Sequence, residues 1–175
     1  MSQDDDAALL LAFRGGDEAA FRLLYERNAR AMIAFCHRFV RDAPRAEELA
    51  QDVFVKLYRS AHRYQPSARF RTFLYRVATN HCLNLRRNAT RHGEDADAPP
   101  LEVAASTSPD LVPDRQLVQQ VLGRFDTTTQ TVAVGVLVDG MEQEEVAEVL
   151  GISRRTVARR LARFLDLARQ QVDRS

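Results

Sequence analysis

Apolar positions recur with helical spacing through the first part of the chain and again through its last part. The pattern predicts a short helix from about Asp4 to Arg14, stopped by Gly15-Gly16. Asp17 then caps a second helix running to about Val40, and Asp42-Ala43-Pro44 breaks it. A third helix follows from about Arg45 to Ala61, with Leu49, Val53 and Leu57 as its buried stripe. Tyr64-Gln65-Pro66-Ser67 reads as a loop, and a fourth helix runs from about Phe70 to Arg87. On that helix Phe70, Leu74, Val77, His81 and Leu85 share one stripe, predicted to be buried. Arg76, Asn80, Leu83 and Arg87 fall on the opposite face, with Thr79 and Arg86 nearby and Asn84 closer to the boundary.

The pattern lapses between Gly93 and Pro113, where four prolines stand among few large apolar residues. This stretch reads as a linker that orders on binding, with a plain flexible tether as the bland alternative. Helical spacing then resumes with one local conflict. Residues 127–134, Thr-Thr-Thr-Gln-Thr-Val-Ala-Val, are rich in β-branched side chains and favour a strand by propensity. Thr129, Val132, Ala133, Val136 and Leu137 nevertheless keep helical spacing, Asp126 is a fair N-cap, and Asp139-Gly140 a fair stop. A helix is predicted.

Residues 143–163, QEEVAEVLGISRRTVARRLAR, have the spacing of a helix-turn-helix. Val146, Ala147, Val149 and Leu150 make one apolar face, and Ala147 is small where two helices must cross closely. Gly151 can adopt the left-handed conformation that turns the chain. Ile152 plugs the turn, Ser153 caps the next helix, and Val157, Leu161, Phe164 and Ala168 form its buried stripe. That second helix carries Arg154, Arg155, Arg159, Arg160 and Arg163 with no acid among them. At about 100° per residue, Arg155, Arg159 and Arg163 point away from the stripe. Arg155, Thr156 and Arg159 are therefore placed for base edges, and Arg154, Arg160 and Arg163 for phosphates, with Ser153 at the helix start. A solvated basic face is the bland alternative.

Charge sharpens the division of the chain. The net charge is +1, but residues 1–92 hold sixteen basic against ten acidic residues, residues 93–113 five acids and no base, and residues 114–175 nine of each. Two segments flanking an acidic strip suggest two domains, 1–92 and 114–175, joined by a linker at 93–113. No apolar run approaches the roughly 18 residues that span a bilayer. The N-terminus opens on Asp4, Asp5 and Asp6, unlike the basic start of a signal peptide, so a cytoplasmic protein without membrane insertion is expected. Cys36 and Cys82 give no disulfide framework. Cys36-His37 and His81-Cys82 invite a metal, but neighbours on a helix diverge by about 100° and seldom ligate one ion together. Buried Cys and His are expected, with no metal and no cofactor.

In FRTFLYRVATN, residues 70–80, aromatic and basic side chains interleave. Aromatic stacking beside Arg and Asn donors suits an unpaired nucleic-acid strand. Here the sequence resembles bacterial RNA polymerase sigma factors of the extracytoplasmic-function class, group IV of the sigma-70 family. FRTFLYRVATN is similar to that family's FRTWLYRIARN signature. EELAQDVFVKLYRS resembles its core-polymerase-binding helix, and VDGMEQEEVAEVLGISRRTVARRL its C-terminal helix-turn-helix. The three motifs stand in the family's order across nearly the whole chain.

The resemblance implies an all-α fold: a region 2 helical bundle and a region 4 helix-turn-helix, joined by an acidic, proline-containing linker. It implies a transcription initiation factor, not an enzyme, that binds the clamp and flap of core RNA polymerase. Region 2 would capture the melted minus-ten element and region 4 would read the duplex minus-thirty-five element. Clamp contacts would fall on Glu48, Gln51, Asp52, Phe54 and Val55. The third helix exposes Glu48, Gln51, Asp52, Val55 and Arg59 opposite its buried stripe, with Phe54 and Tyr58 on the flank. Minus-ten contacts would come from Arg76, Asn80, Asn84 and Arg87, with a flipped base beside the loop at Tyr64 to Arg69. The acidic strip, Glu94, Asp95, Asp97, Glu102 and Asp110, would thread polymerase channels as an RNA mimic. An anti-sigma factor is a further implied partner.

The chain departs from the family pattern in places. Phe73 stands where a Trp is frequent, Thr79 replaces a frequent Arg, Asn84 a frequent Asp, and Phe125-Asp126 the Leu-Pro before the fifth helix. Asn84 has donors as well as an acceptor, which alters minus-ten preference. An autonomous helix-turn-helix repressor or activator is the competing reading; such proteins bind as symmetric dimers, and no dimerisation helix stands out. No phosphate loop, metal-ligand cluster or nucleophile constellation argues for an enzyme.

Overall fold

A computed structural model describes residues 3–66, 69–91, 101 and 120–173 of the chain. Its helices are α1 (Gln3–Arg14), α2 (Glu18–Val40), α3 (Ala43–Ser60), α4 (Phe70–Arg91), α5 (Thr127–Leu137), α6 (Gln143–Leu150) and α7 (Arg154–Val172). Among the described residues there is no strand. The chain divides into two compact units, residues 1–85 and 86–175.

In the first unit local chemistry sets each helix boundary. The Asp17 carboxylate accepts from the N–H groups of Ala19 and Ala20, satisfying donors that the start of α2 leaves unpaired. Helix α2 ends at Arg41, which takes the left-handed conformation at φ 53°. Asp42 caps α3 by accepting from the Arg45 N–H at 2.8 Å. Pro44 lies in the first turn of α3, where a missing N–H costs nothing. The predicted break at Asp42-Ala43-Pro44 is thus a helix start as much as a stop. Leu10, Leu24, Met32, Val53 and Leu57 are fully buried where α1, α2 and α3 meet. Burying each such side chain contributes roughly 1.5–3 kcal/mol. The rings of Phe13, Phe21 and Tyr58 form a cluster across the three helices, and the Tyr58 hydroxyl donates to Glu18.

A 3-10 turn at Ala61–Arg63 follows α3, just before the loop expected at Tyr64-Gln65-Pro66-Ser67. Tyr64 is buried against Phe73, ring centroids 5.4 Å apart, and its carbonyl accepts from the Arg14 guanidinium. Residues 67–68 of the loop lie outside the described residues.

Helix α4 runs one turn further than predicted, to Arg91, and its buried face is rotated. Phe70, Thr72, Phe73, Leu74, Ala78, Thr79 and Cys82 are buried, whereas Leu85 is 42% exposed and Val77 and His81 are partly open. The expected stripe grouped Leu85 with Phe70. Phe70 and Leu74 are buried as expected, and Phe73, Thr72 and Thr79 pack inward with them.

The second unit is built on α5, α6 and α7. Asp126 caps α5 by accepting from the Thr129 N–H at 2.7 Å. All of Thr129 to Gly135 is buried. A helix enclosed on every side needs no polar face, which is why periodicity was weak there and β-branched residues were tolerated. Leu101 is buried, and its N–H donates to the buried Gln130 side chain at 2.7 Å. This one position of the expected linker is therefore packed within the second unit, and not merely a tether. The acidic residues Glu94, Asp95, Asp97, Glu102 and Asp110 lie outside the described residues.

Candidate nucleic-acid interface

Helices α6 and α7 and the turn between them form as the spacing requires. The Glu142 N–H is held by the Glu145 carboxylate at the start of α6. Gly151 sits at φ 65°, and the next N–H, of Ile152, returns to the Ala147 carbonyl at 3.0 Å. Such a turn needs left-handed backbone that only glycine adopts without strain. Ser153 Oγ accepts from the Thr156 N–H at 3.2 Å, and the two hydroxyls share a 2.9 Å hydrogen bond. Val157, Leu161 and Phe164 are buried on one side of α7, while Ala168 is partly open.

The arginines of α7 then divide by partner. Arg155 and Arg159 are exposed one turn apart, and neither has an ion-pair partner among the described residues. Arg154 pairs with Glu144 at 2.7 Å, both side chains open to solvent, so the pair can part at little cost. The Arg163 guanidinium lies 5.9 Å from the centre of the Phe125 ring, which itself packs on Phe164. Arg160 departs from expectation. It was placed for a phosphate, but its Nη1 meets both carboxylate oxygens of Asp126, at 3.0 and 2.8 Å, and donates to Thr129 Oγ1 at 2.6 Å. Its Nη1 is taken up inside the unit. Burial pushes the Asp126 carboxyl up, but the Arg160 guanidinium and the Thr129 N–H and hydroxyl outweigh it and hold it below its ordinary 3.8.

On α4, Asn80, Asn84 and Arg87 are exposed, and Arg76 is partly open with its guanidinium 5.4 Å from the Phe73 ring centre. Arg76, Asn80 and Arg87 share a face by helical register, with Asn84 nearer its boundary. The aromatics do not join them: Phe70, Phe73 and Tyr64 are all buried in the first unit, so none is a platform on which a base can stack. Tyr75 is the partly open ring of α4, packed edge-on against Phe35 and covered by Arg71 at 5.3 Å. The interleaving of aromatic and basic residues was legible, and so was the burial of Phe70, but the inward turn of Phe73 was not.

On α3, Glu48, Gln51, Asp52, Val55 and Arg59 are exposed together, Val55 at 46%. Phe54 corrects the sequence reading, since it is 3% exposed and packs edge-to-face on Tyr25 of α2 at 4.9 Å. A side chain so enclosed supports this face from beneath. Asp52 also meets the His81 ring of α4 at 3.3 Å. Burial and then the Lys56 charge lower the His81 imidazole, against the opposing hydrogen bond to Asp52 and its charge. Cys36 and Cys82 are both buried, and their mutual hydrogen bond, together with burial, pushes the Cys82 thiol far up. His37 and His81 are only partly buried, so the cysteines alone fit the expected core placement.

An all-helical chain whose helix-turn-helix turns unpaired arginines outward is a DNA-binding protein of the transcriptional kind. Residues 24–92 match the family model for Sigma-70 region 2, and residues 117–165 that for Sigma-70, region 4. RNA polymerase sigma factor CarQ of Myxococcus xanthus is 31% identical over 81% of this chain and 82% of its own. ECF RNA polymerase sigma factor SigM of Mycobacterium tuberculosis is 30% identical over 90% of this chain and 80% of its own. The solved structure of CnrH in complex with the cytosolic domain of CnrY superposes with a TM-score of 0.70 at 25% identity, covering 98% of this chain and 99% of that one. The chain belongs to the sigma-70 family of RNA polymerase sigma factors, in its extracytoplasmic-function class. It is a transcription initiation factor that acts with core RNA polymerase. No described helix is long and apolar enough to cross a membrane.

Proposed function

We propose that promoter recognition is divided between two helices of this sigma factor. Helix α7 reads the duplex minus-thirty-five element. Arg155, Arg159 and Thr156 face base edges, and Arg154, Arg163 and the Ser153 end of the helix face phosphates. Helix α4 captures the melted minus-ten strand through Arg76, Asn80, Asn84 and Arg87. The α3 face of Glu48, Gln51, Asp52 and Val55 docks on the polymerase clamp, with Phe54 holding it in shape. Residues 1–92 and 114–175 would serve as regions 2 and 4, and residues 93–113 as their linker.

The observation that carries this reading is the exposure of Arg155 and Arg159, uncompensated and one turn apart, opposite the buried Val157-Leu161-Phe164 stripe. Two bidentate contacts of that kind supply about 1–3 kcal/mol of discrimination each. The acids elsewhere in residues 114–175 balance its bases, so this segment gains little from general attraction to phosphate. The remaining affinity must come from polymerase and from strand capture by α4. No chemistry is needed for melting: bases released from the duplex are recaptured by the protein, and binding energy drives the opening.

CnrH is seen in complex with the cytosolic domain of CnrY. A cytoplasmic inhibitor of comparable kind, an anti-sigma factor, would hold this chain inactive until its signal arrives. The test adds the purified chain to sigma-free bacterial core polymerase on a promoter library. Specific transcripts are expected. Their absence, with the chain alone footprinting a palindrome, would identify an autonomous repressor or activator instead.

A further inference from the structure

Arg160 of α7 pairs with Asp126 at the start of α5. Asp126 precedes α5, and Arg160 lies on α7 next to Arg159. One guanidinium nitrogen bridges both carboxylate oxygens and reaches the Thr129 hydroxyl, while the same carboxylate caps the Thr129 N–H. The Arg160 Nε is buried without a hydrogen-bond partner, and the side chain is 30% exposed, while Asp126 is open to solvent. Apolar contacts on α7 are non-directional and permit small rotations about its axis. Hydrogen bonds to a planar guanidinium are directional and do not.

We propose that Arg160 is a positioning residue: with Asp126 it locks the rotation of α7 about its own axis, and so sets which bases Arg155 and Arg159 meet. The proposal rests on α7 reading duplex promoter DNA. It also gives a reason for an acid at position 126, where the family pattern resembled by this sequence has proline. Proline could start the helix, but it offers nothing to a guanidinium.

The variants are Arg160→Ala, Asp126→Asn and their combination, with Arg155→Ala as control. Asparagine still caps α5, so Asp126→Asn removes the ionic latch while keeping the helix start. Each full-length variant is assembled with core polymerase. Binding is measured on a duplex promoter selected by the wild-type holoenzyme from a randomised library, and on the same promoter with its upstream element scrambled. Both single variants are expected to lower discrimination between the two by about tenfold, as for the loss of one good base contact. The double variant should lose no more than either single one, because both break the same latch. The salt dependence of binding should stay as in the wild type for Arg160→Ala.

A phosphate-binding Arg160 predicts the reverse. Arg160→Ala would then reduce the log–log salt slope by about one, and Asp126→Asn would free the guanidinium and tighten binding to both DNAs alike. Either result overturns the latch while leaving Arg155→Ala defective. If Arg155→Ala itself discriminates as the wild type does, α7 is not the reader, and both proposals fall.

Discussion

A Cβ added to Gly135 would stand 3.1 Å from Cγ2 of the buried Val146, and α5 passes α6 so closely that Val146 would have to give way to a side chain there. The approach seats the first helix of the helix-turn-helix. Alanine gains roughly 0.5–1 kcal/mol of helix preference over glycine, while overpacking costs about 1–3 kcal/mol. Gly135→Ala should therefore lower stability modestly, and Gly135→Leu severely. Urea unfolding of the two variants checks the order, and an unaltered midpoint for the leucine variant would refute the close approach.

Phe54 and Val55 are sequence neighbours with opposite roles. Phe54→Ala should cost about 3–5 kcal/mol of folding stability, because it empties a buried aromatic site against Tyr25. Val55→Glu should change stability by no more than about 0.5 kcal/mol and yet weaken binding to core polymerase. Paired melting and polymerase pull-down measurements separate the two. Intact polymerase binding by the folded Val55→Glu variant would remove α3 from the docking surface.

His81 gives the first unit a pH dependence of definite sign. Its imidazole is held below its ordinary 6.5, so the unfolded chain takes up this proton at a higher pH than the folded one. The associated stability is complete above that unfolded value and declines as pH falls through it towards the folded pKa. Urea midpoints at about pH 8 and about pH 5.5 should differ less in His81→Gln than in the wild type. An equal difference in both would assign the dependence to other groups.

Helix boundaries were legible because single side chains dictate them. Asp17, Asp126 and Ser153 cap as their positions promised, Asp42, expected only as part of a break, caps as well, and Gly151 turns the chain. The basic face of α7 was legible for the same reason: helical register alone sends Arg155 and Arg159 outward. What the sequence concealed was tertiary. The inward turn of Thr72, Thr79 and Phe73 depends on which neighbour covers α4, and one-dimensional spacing placed its buried stripe too far towards Leu85. Phe54 lay on a boundary between faces, and α2 decided it by supplying Tyr25. Arg160 looked like its neighbours because its partner lies 34 residues away. The burial of Leu101 likewise depends on Gln130, an amide no periodicity would mark as a receptor for backbone.

The most direct test of the divided grip compares Arg155→Ala with Asn80→Ala in reconstituted holoenzyme. Each is measured for binding to the duplex upstream element and for promoter opening by permanganate reactivity of unpaired thymines. Arg155→Ala should weaken upstream binding by about tenfold, and opening should recover on a promoter whose minus-ten region is already mismatched. Asn80→Ala should bind the duplex as the wild type does but leave the thymines unreactive. Equal loss of duplex binding in both variants would contradict the division of labour between α7 and α4.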